Sequence, residues 1–149
     1  MREILFRGKR TDNGEWFEGF YTCVADVHYI LSGIFDSLTN GIINTRGYKV
    51  VPETVCQFTG LYDKNGRKIF EGDIVSGTAY SSEWIGVIVW IDEIASFGVR
   101  YFRRTDPTAW ENSSILTAVS RNRQDKFAAQ VIGNIYDNPE LLEGRDEIL

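Results

Sequence analysis

The sequence predicts a mainly β fold: a barrel or roll with additional strands, a long irregular insertion and a short C-terminal helix. Three observations carry that expectation. Short runs rich in Val, Ile, Phe, Tyr and Trp recur along the chain, which is the composition of half-buried pleated strands. Turn dipeptides such as Asn13-Gly14, Asn40-Gly41 and Asn65-Gly66 separate them. Strands do not alternate with long helical periodicities, so a doubly wound parallel sheet is disfavoured.

The elements follow in order. "REILFRGKRTDNGEWFEGFYTCV" reads as two strands around an Asn-Gly turn, with Trp16, Phe17, Phe20 and Tyr21 giving the second strand bulk on both faces. Val27 to Phe35 forms a third strand. In "SLTNGIINTRGYKVV", Asn40-Gly41 and Arg46-Gly47 are breaks between short apolar runs. Pro52 sets the entry to the strand "ETVCQFTGL", and Asn65-Gly66 turns the chain toward Ile69 and Phe70. Glu83 to Asp92 is the most β-rich run, and "FGVRYF" follows at hairpin distance, with Gly86 and Gly98 as bulge or close-approach candidates. From Arg103 to Gln130 the rhythm breaks: the stretch is polar, contains Pro107 and suggests a short helix near Ser113 to Val119. "VIGNIYD" is a closing strand. In "NPELL", Asn138 is placed to cap a helix that starts at Pro139, with Glu140 near its positive end.

Bulk composition bounds the function classes. The 149 residues suit one domain spanning 1–149, and nine Phe, seven Tyr and four Trp supply a sizeable core. The net charge of −5 is concentrated in the tail, where Asp137, Glu140, Glu143, Asp146 and Glu147 face only Arg145. A near-neutral body argues against strong nonspecific nucleic-acid binding, which rests on neutralising phosphates. Cys23 and Cys56 lie far apart without metal-ligand spacing and read as apolar thiols in strands. The N-terminus has no long apolar core and no run reaches membrane-spanning length, so a cytoplasmic protein without a membrane segment is expected.

Chemistry-bearing motifs are few. The one histidine, His28, has only Asp26 nearby on its strand face, too little for a zinc site of three or four ligands. Gly-x-Ser-x-Gly and phosphate-loop patterns are absent, and "DKNGRK" leads into a strand rather than a helix N-terminus. Lys64, Arg67 and Lys68 read as a solvated hairpin tip, with a small anion contact as the rival. Glu71 and Asp73 form an acid/base pair only on paper, because Gly72 interrupts the extended geometry. Asp73 instead suits bonds to nearby backbone N–H groups. The most basic stretch holds Arg100, Arg103, Arg104, Arg121, Arg123 and Lys126 among Tyr101, Phe102, Trp110 and Phe127. Of these, Arg100, Tyr101, Arg103, Arg104, Trp110, Arg121 and Arg123 are the candidate binding residues. Arginine interleaved with aromatics serves both single-strand nucleic-acid binding and protein hot spots. No catalytic residue, metal or cofactor is expected.

Three motifs carry a resemblance. "FRGKRTDNGEWFEGFY", "VVPETVCQFTGLYDKNGRKIFEGDIV" and "VIGNIYDNPELL" resemble, in order, the YopX family of phage and prophage proteins, over nearly the whole chain. The resemblance implies an SH3-like barrel or roll and a phage or prophage gene expressed in a bacterial cytoplasm. It implies no activity and transfers no site residues. The departure is greatest from about Ser76 to Gln130, where individual specificity is expected. Phe6, Trp16, Phe58, Leu61, Ile69, Phe70, Ile74, Val75, Ile132 and Ile135 are the expected core. These features together favour a non-catalytic interaction module whose partner is a protein, a second copy of the chain among the options. A nucleic-acid-binding protein of phage replication or regulation is the alternative.

Overall fold

The computed structural model describes residues 1–36, 38–79, 82–103, 106–114 and 129–143; within strands, side chains at 34–36, 42–44, 79, 82, 101–103 and 106–114 are not described. The chain forms two compact units, Met1–Phe58 and Thr59–Leu149.

The first unit is built from β1 (Phe6–Lys9), β2 (Trp16–Val24), β3 (Val27–Asp36), β4 (Gly41–Lys49) and the start of β5 (Cys56–Tyr62). Their antiparallel order is β4-β3-β2-β1-β5. β2 changes partner along its length: Trp16 to Gly19 pair with β1, and Phe20 to Val24 pair with β3. Gly19 marks that corner, where a Cβ would stand 2.1 Å from the Leu31 carbonyl oxygen. The end of β4 returns to β1: Arg10 bridges Val50, Val51 N–H donates to Lys9 O and Thr11 N–H donates to Lys49 O. The sheet therefore curls so that the end of β4 meets β1. A 3-10 turn, Pro52–Thr54, then leads into β5, with Thr54 Oγ1 accepting Lys9 N–H at 2.9 Å. Ile30, Val50, Cys56 and Phe58 are buried here.

Two turn expectations need correction. At Asn13-Gly14 only the glycine is left-handed (φ 73°), and Arg10 N–H to Glu15 O closes a four-residue loop rather than a two-residue turn. Arg46-Gly47 is no break: β4 runs through it, because glycine there makes room for Leu31, its partner on β3.

The second unit contains the end of β5, β6 (Lys68–Phe70), β7 (Asp73–Ala79), β8 (Ser82–Ile91), β9 (Ser96–Arg103), β10 (Asp106–Ser114) and β11 (Gln130–Asn134). β6 lies beside β5, and the other five form a sheet in the order β10-β9-β8-β7-β11. Both faces of this sheet are covered. Val75, Ile88, Val99 and Val131 pack with Ile69 and Ala129, while Ile74 and Val87 pack with Leu142. Burial on both sides explains why "IGVIVWI" shows no clean alternation. The β8–β9 register runs without a shift through Gly86 and Gly98, so neither marks a bulge.

Neither strand order closes into a complete barrel among the described residues. The expected insertion is also partly strand. Asp106–Ser114 pairs with β9, with a register shift between Asp106 and Trp110. Pro107 sits inside that shift on an edge strand, where a missing N–H costs no ladder bond. The helix expected near Ser113 to Val119 begins in strand at Ser113 and Ser114, and residues 115–119 lie outside the described residues. The C-terminal helix is only a 3-10 turn, Pro139–Leu142. Asn138 does not cap it with its side chain, because its Oδ1 accepts Asn134 N–H at 3.3 Å instead.

Candidate functional site

The predicted binding residues do not assemble into one described site. Arg100 is exposed on β9. Tyr101 and Arg103 occupy the same strand and Trp110 lies on β10 opposite Phe102, all with side chains outside the description. Arg100 stands opposite Val87 in the β8–β9 ladder, and Arg103 pairs with Asp106 where the β9–β10 register shifts. Arg104, Arg121 and Arg123 lie outside the described residues.

The motif Thr59 to Val75 is a joint. Asp63 is 1% exposed, and its Oδ1 accepts Asn65 N–H at 2.8 Å and Arg67 N–H at 2.9 Å. Its Oδ2 accepts Val131 N–H at 3.0 Å. Asp63 O also accepts Gly66 N–H, and Gly66 is left-handed (φ 83°), a type I turn followed by a glycine bulge. Lys64 to Arg67 are exposed, as a solvated tip should be. Asp73 is fully buried and its Oδ2 accepts Phe70 N–H at 2.8 Å, the structural role expected of it. Asn134 plays a third such part, accepting Tyr136 and Asp137 N–H, each at 3.0 Å. Burial without such bonds would be costly for each group.

The first unit offers two side-chain constellations, one on each face of its sheet. On the outer face, alternate residues of β1 and β2 bring Arg7, Lys9 and Trp16 together, with Phe20 four positions further along β2 on the same face. Arg7 Cζ lies 4.6 Å and Lys9 Nζ 5.5 Å from the Trp16 ring centre. Such cations are held by the ring quadrupole. Phe20, across from Leu31, is 60% exposed, a large apolar side chain open to a partner. Near the hairpin tip, Arg10 lies 3.6 Å from the Tyr48 ring centre and forks onto both Asp12 carboxylate oxygens, at 2.9 and 2.6 Å. That hydrogen-bonded pairing holds Asp12 below and Arg10 above their ordinary ranges.

The inner face carries Tyr21, Cys23 and His28. Cys23 stands directly across from His28 on the β2–β3 hairpin, with Sγ 4.0 Å from Nε2. Tyr21 Oη is 2.7 Å from His28 Nδ1. Neither constellation was singled out from sequence. The apolar pattern places Trp16 in the core, whereas it is half-buried, and it marks His28 and Cys23 only as strand residues. The usable signal was register: a turn at Ala25-Asp26 sets Cys23 opposite His28, and the first hairpin sets Lys9 opposite Trp16.

The turns and buried acceptors above all lie between residues 5 and 143. A family model described as "YopX protein" matches residues 5–143. The chain belongs to the YopX family. Its match spans both compact units of this YopX chain. No curated protein matches it. The crystal structure of protein EF1440 from Enterococcus faecalis is similar at 25% identity, covering 96% of this chain and 100% of that one. Its TM-score is 0.43. No helix among the described residues is long and apolar enough to cross a membrane.

Proposed function

We propose that this YopX protein is a phage- or prophage-encoded accessory protein of the bacterial cytoplasm. It acts as a non-catalytic interaction module on a small SH3-like roll and binds a protein partner through the outer face of β2. The observation that carries this reading is Phe20, 60% exposed on the same strand face as the Trp16 ring that Arg7 and Lys9 flank. An exposed aromatic on a face that also carries an aromatic–cation cluster is the make-up of a protein hot spot. The buried carboxylates Asp63 and Asp73 support it by the bonds they already make to backbone N–H groups.

The test is a pull-down from host cells with the tagged chain and its Phe20→Ser variant. A partner held by the wild type and lost by a variant of equal melting temperature supports the reading. Equal retention by both removes Phe20 from the interface. Light scattering decides whether the partner is a second copy.

The alternative is nucleic-acid binding through Arg100, Arg103 and their neighbours. Exposed Arg100 on β9 favours it. The Trp16 face is poorly suited, because base stacking needs an open ring and this one already carries its own cations. Titration with single- and double-stranded DNA and RNA at low salt separates the two. Affinity that falls steeply with salt and drops in the Arg103→Ala, Arg104→Ala double variant would establish the alternative.

A further inference from the structure

We propose that Cys23, with His28 and Tyr21, is a thiol-exchange site that takes up a low-molecular-weight disulfide. The proposal goes beyond the interaction role and does not depend on it.

The hairpin builds the site. Ala25 and Asp26 both have positive φ (50° and 62°), the backbone of a two-residue turn whose twist matches its strands. This turn closes on Val24↔Val27, so the next pair, Cys23↔His28, is of the non-hydrogen-bonded kind, in which side chains lie closest. The His28 carbonyl is engaged outward, accepting Val50 N–H at 3.0 Å.

The geometry has the parts of an activated nucleophile: a thiol, a base within reach and a third group that orients the base. Sγ and Nε2 are 4.0 Å apart, and Tyr21 Oη sits 2.7 Å from Nδ1 and stacks beside the imidazole at a ring separation of 5.8 Å. Tyr21 Oη and Cys23 Sγ thus stand at the two ring nitrogens of His28, Nδ1 and Nε2 respectively. Tyr21 acts through His28 and is a positioning residue. Cys23 is exposed, so a disulfide can reach it. Cys56 is 2% exposed with its S–H donating to Thr54 O at 3.2 Å, and serves as the internal control.

In the step, the Cys23 proton passes to His28 Nε2 and the thiolate attacks one sulfur of R–S–S–R. A new Cys23–S–S–R bond forms as the reagent's S–S bond breaks. The leaving thiolate takes the proton from Nε2 and departs as R–SH. Cys23 is oxidised to a mixed disulfide and half of the reagent is reduced, so electrons and protons balance.

The experiment treats the native full chain with an aromatic disulfide such as 5,5′-dithiobis(2-nitrobenzoate), and separately with glutathione disulfide. Release of R–SH, intact mass and peptide mapping are followed. One adduct on Cys23 is expected, with Cys56 reacting only after denaturation. His28→Gln should slow the exchange by about tenfold or more, and Tyr21→Phe by a few-fold, both with unchanged circular dichroism. The pH profile of the wild-type rate should differ from that of a cysteine peptide of the same flanking sequence, and His28→Gln should restore the peptide's profile. A Cys23 rate equal to the peptide's, or a rate and pH profile that His28→Gln leaves unchanged, overturns the proposal.

Discussion

Asp63 Oδ2 accepts the backbone N–H of Val131 at 3.0 Å, joining residues 68 positions apart in the chain. A hairpin-tip carboxylate thereby anchors a strand that pairs with β7. Lys64 N–H reinforces the junction by donating to Ala129 O at 3.1 Å.

Asp63→Ala should therefore cost about 3 kcal/mol or more, because three backbone N–H groups lose their shared acceptor. Asp63→Asn keeps one carbonyl oxygen and should lose less. Urea unfolding checks both: the midpoint should fall in that order at unchanged slope.

Gly19→Ala should be among the most damaging single-methyl changes. The added carbon would stand 2.1 Å from the Leu31 carbonyl oxygen, and backbone cannot yield as a side-chain end can. A loss on the order of 3 kcal/mol or more is expected, or failure to fold. Thermal denaturation followed by far-ultraviolet circular dichroism measures it.

Gly72→Ala tests the Gly-Asp step. Gly72 has φ 81°, its N–H donates to Ile88 O at 2.8 Å and its carbonyl accepts Ile135 N–H at 3.0 Å. Holding an L-residue in that conformation should cost roughly 1–2 kcal/mol. Equal stability of Gly72→Ala and wild type in urea would contradict this.

The Arg10–Asp12 pair gives a pH prediction. The hydrogen bond from Arg10 depresses the Asp12 pKa below its ordinary value of 3.8. The pair's contribution is then present above that value and is lost as pH falls through the lower folded value. Asp12 is 59% exposed, so its effect on stability is slight. Carboxyl chemical shifts should show Asp12 titrating below 3.8 in the wild type and close to it in Arg10→Gln.

Much of the architecture was legible. The run Val27 to Phe35 falls in β3, the run Glu83 to Asp92 falls in β8 up to Ile91 with Asp92 opening a 3-10 turn, and Phe58, Ile69, Phe70, Ile74 and Val75 are buried as expected. Phe6, Trp16, Leu61, Ile132 and Ile135 are only half-buried. Polarity and Pro107 hid β10, because an edge strand does not need an apolar face or a full set of ladder bonds. "NPELL" looked like a helix start since the same residues serve a tight 3-10 turn when Asn138 is spent on Asn134. The candidate sites were less visible. Arginine and aromatic density drew attention to Arg100 through Arg123, yet proximity in sequence says little about which sheet face a residue occupies.

By itself, the sequence determined that this chain is mainly β, where most strands lie, and that its long motifs are those of the YopX family. Turn chemistry and apolar patterning act over a few residues, so they survive without knowledge of the fold. Only the tertiary structure decided that Asp63 serves Val131, that Cys23 faces His28 beside Tyr21, and that Arg7 and Lys9 meet Trp16. Those meetings depend on strand register, and a one-residue slip would turn each side chain to the other face.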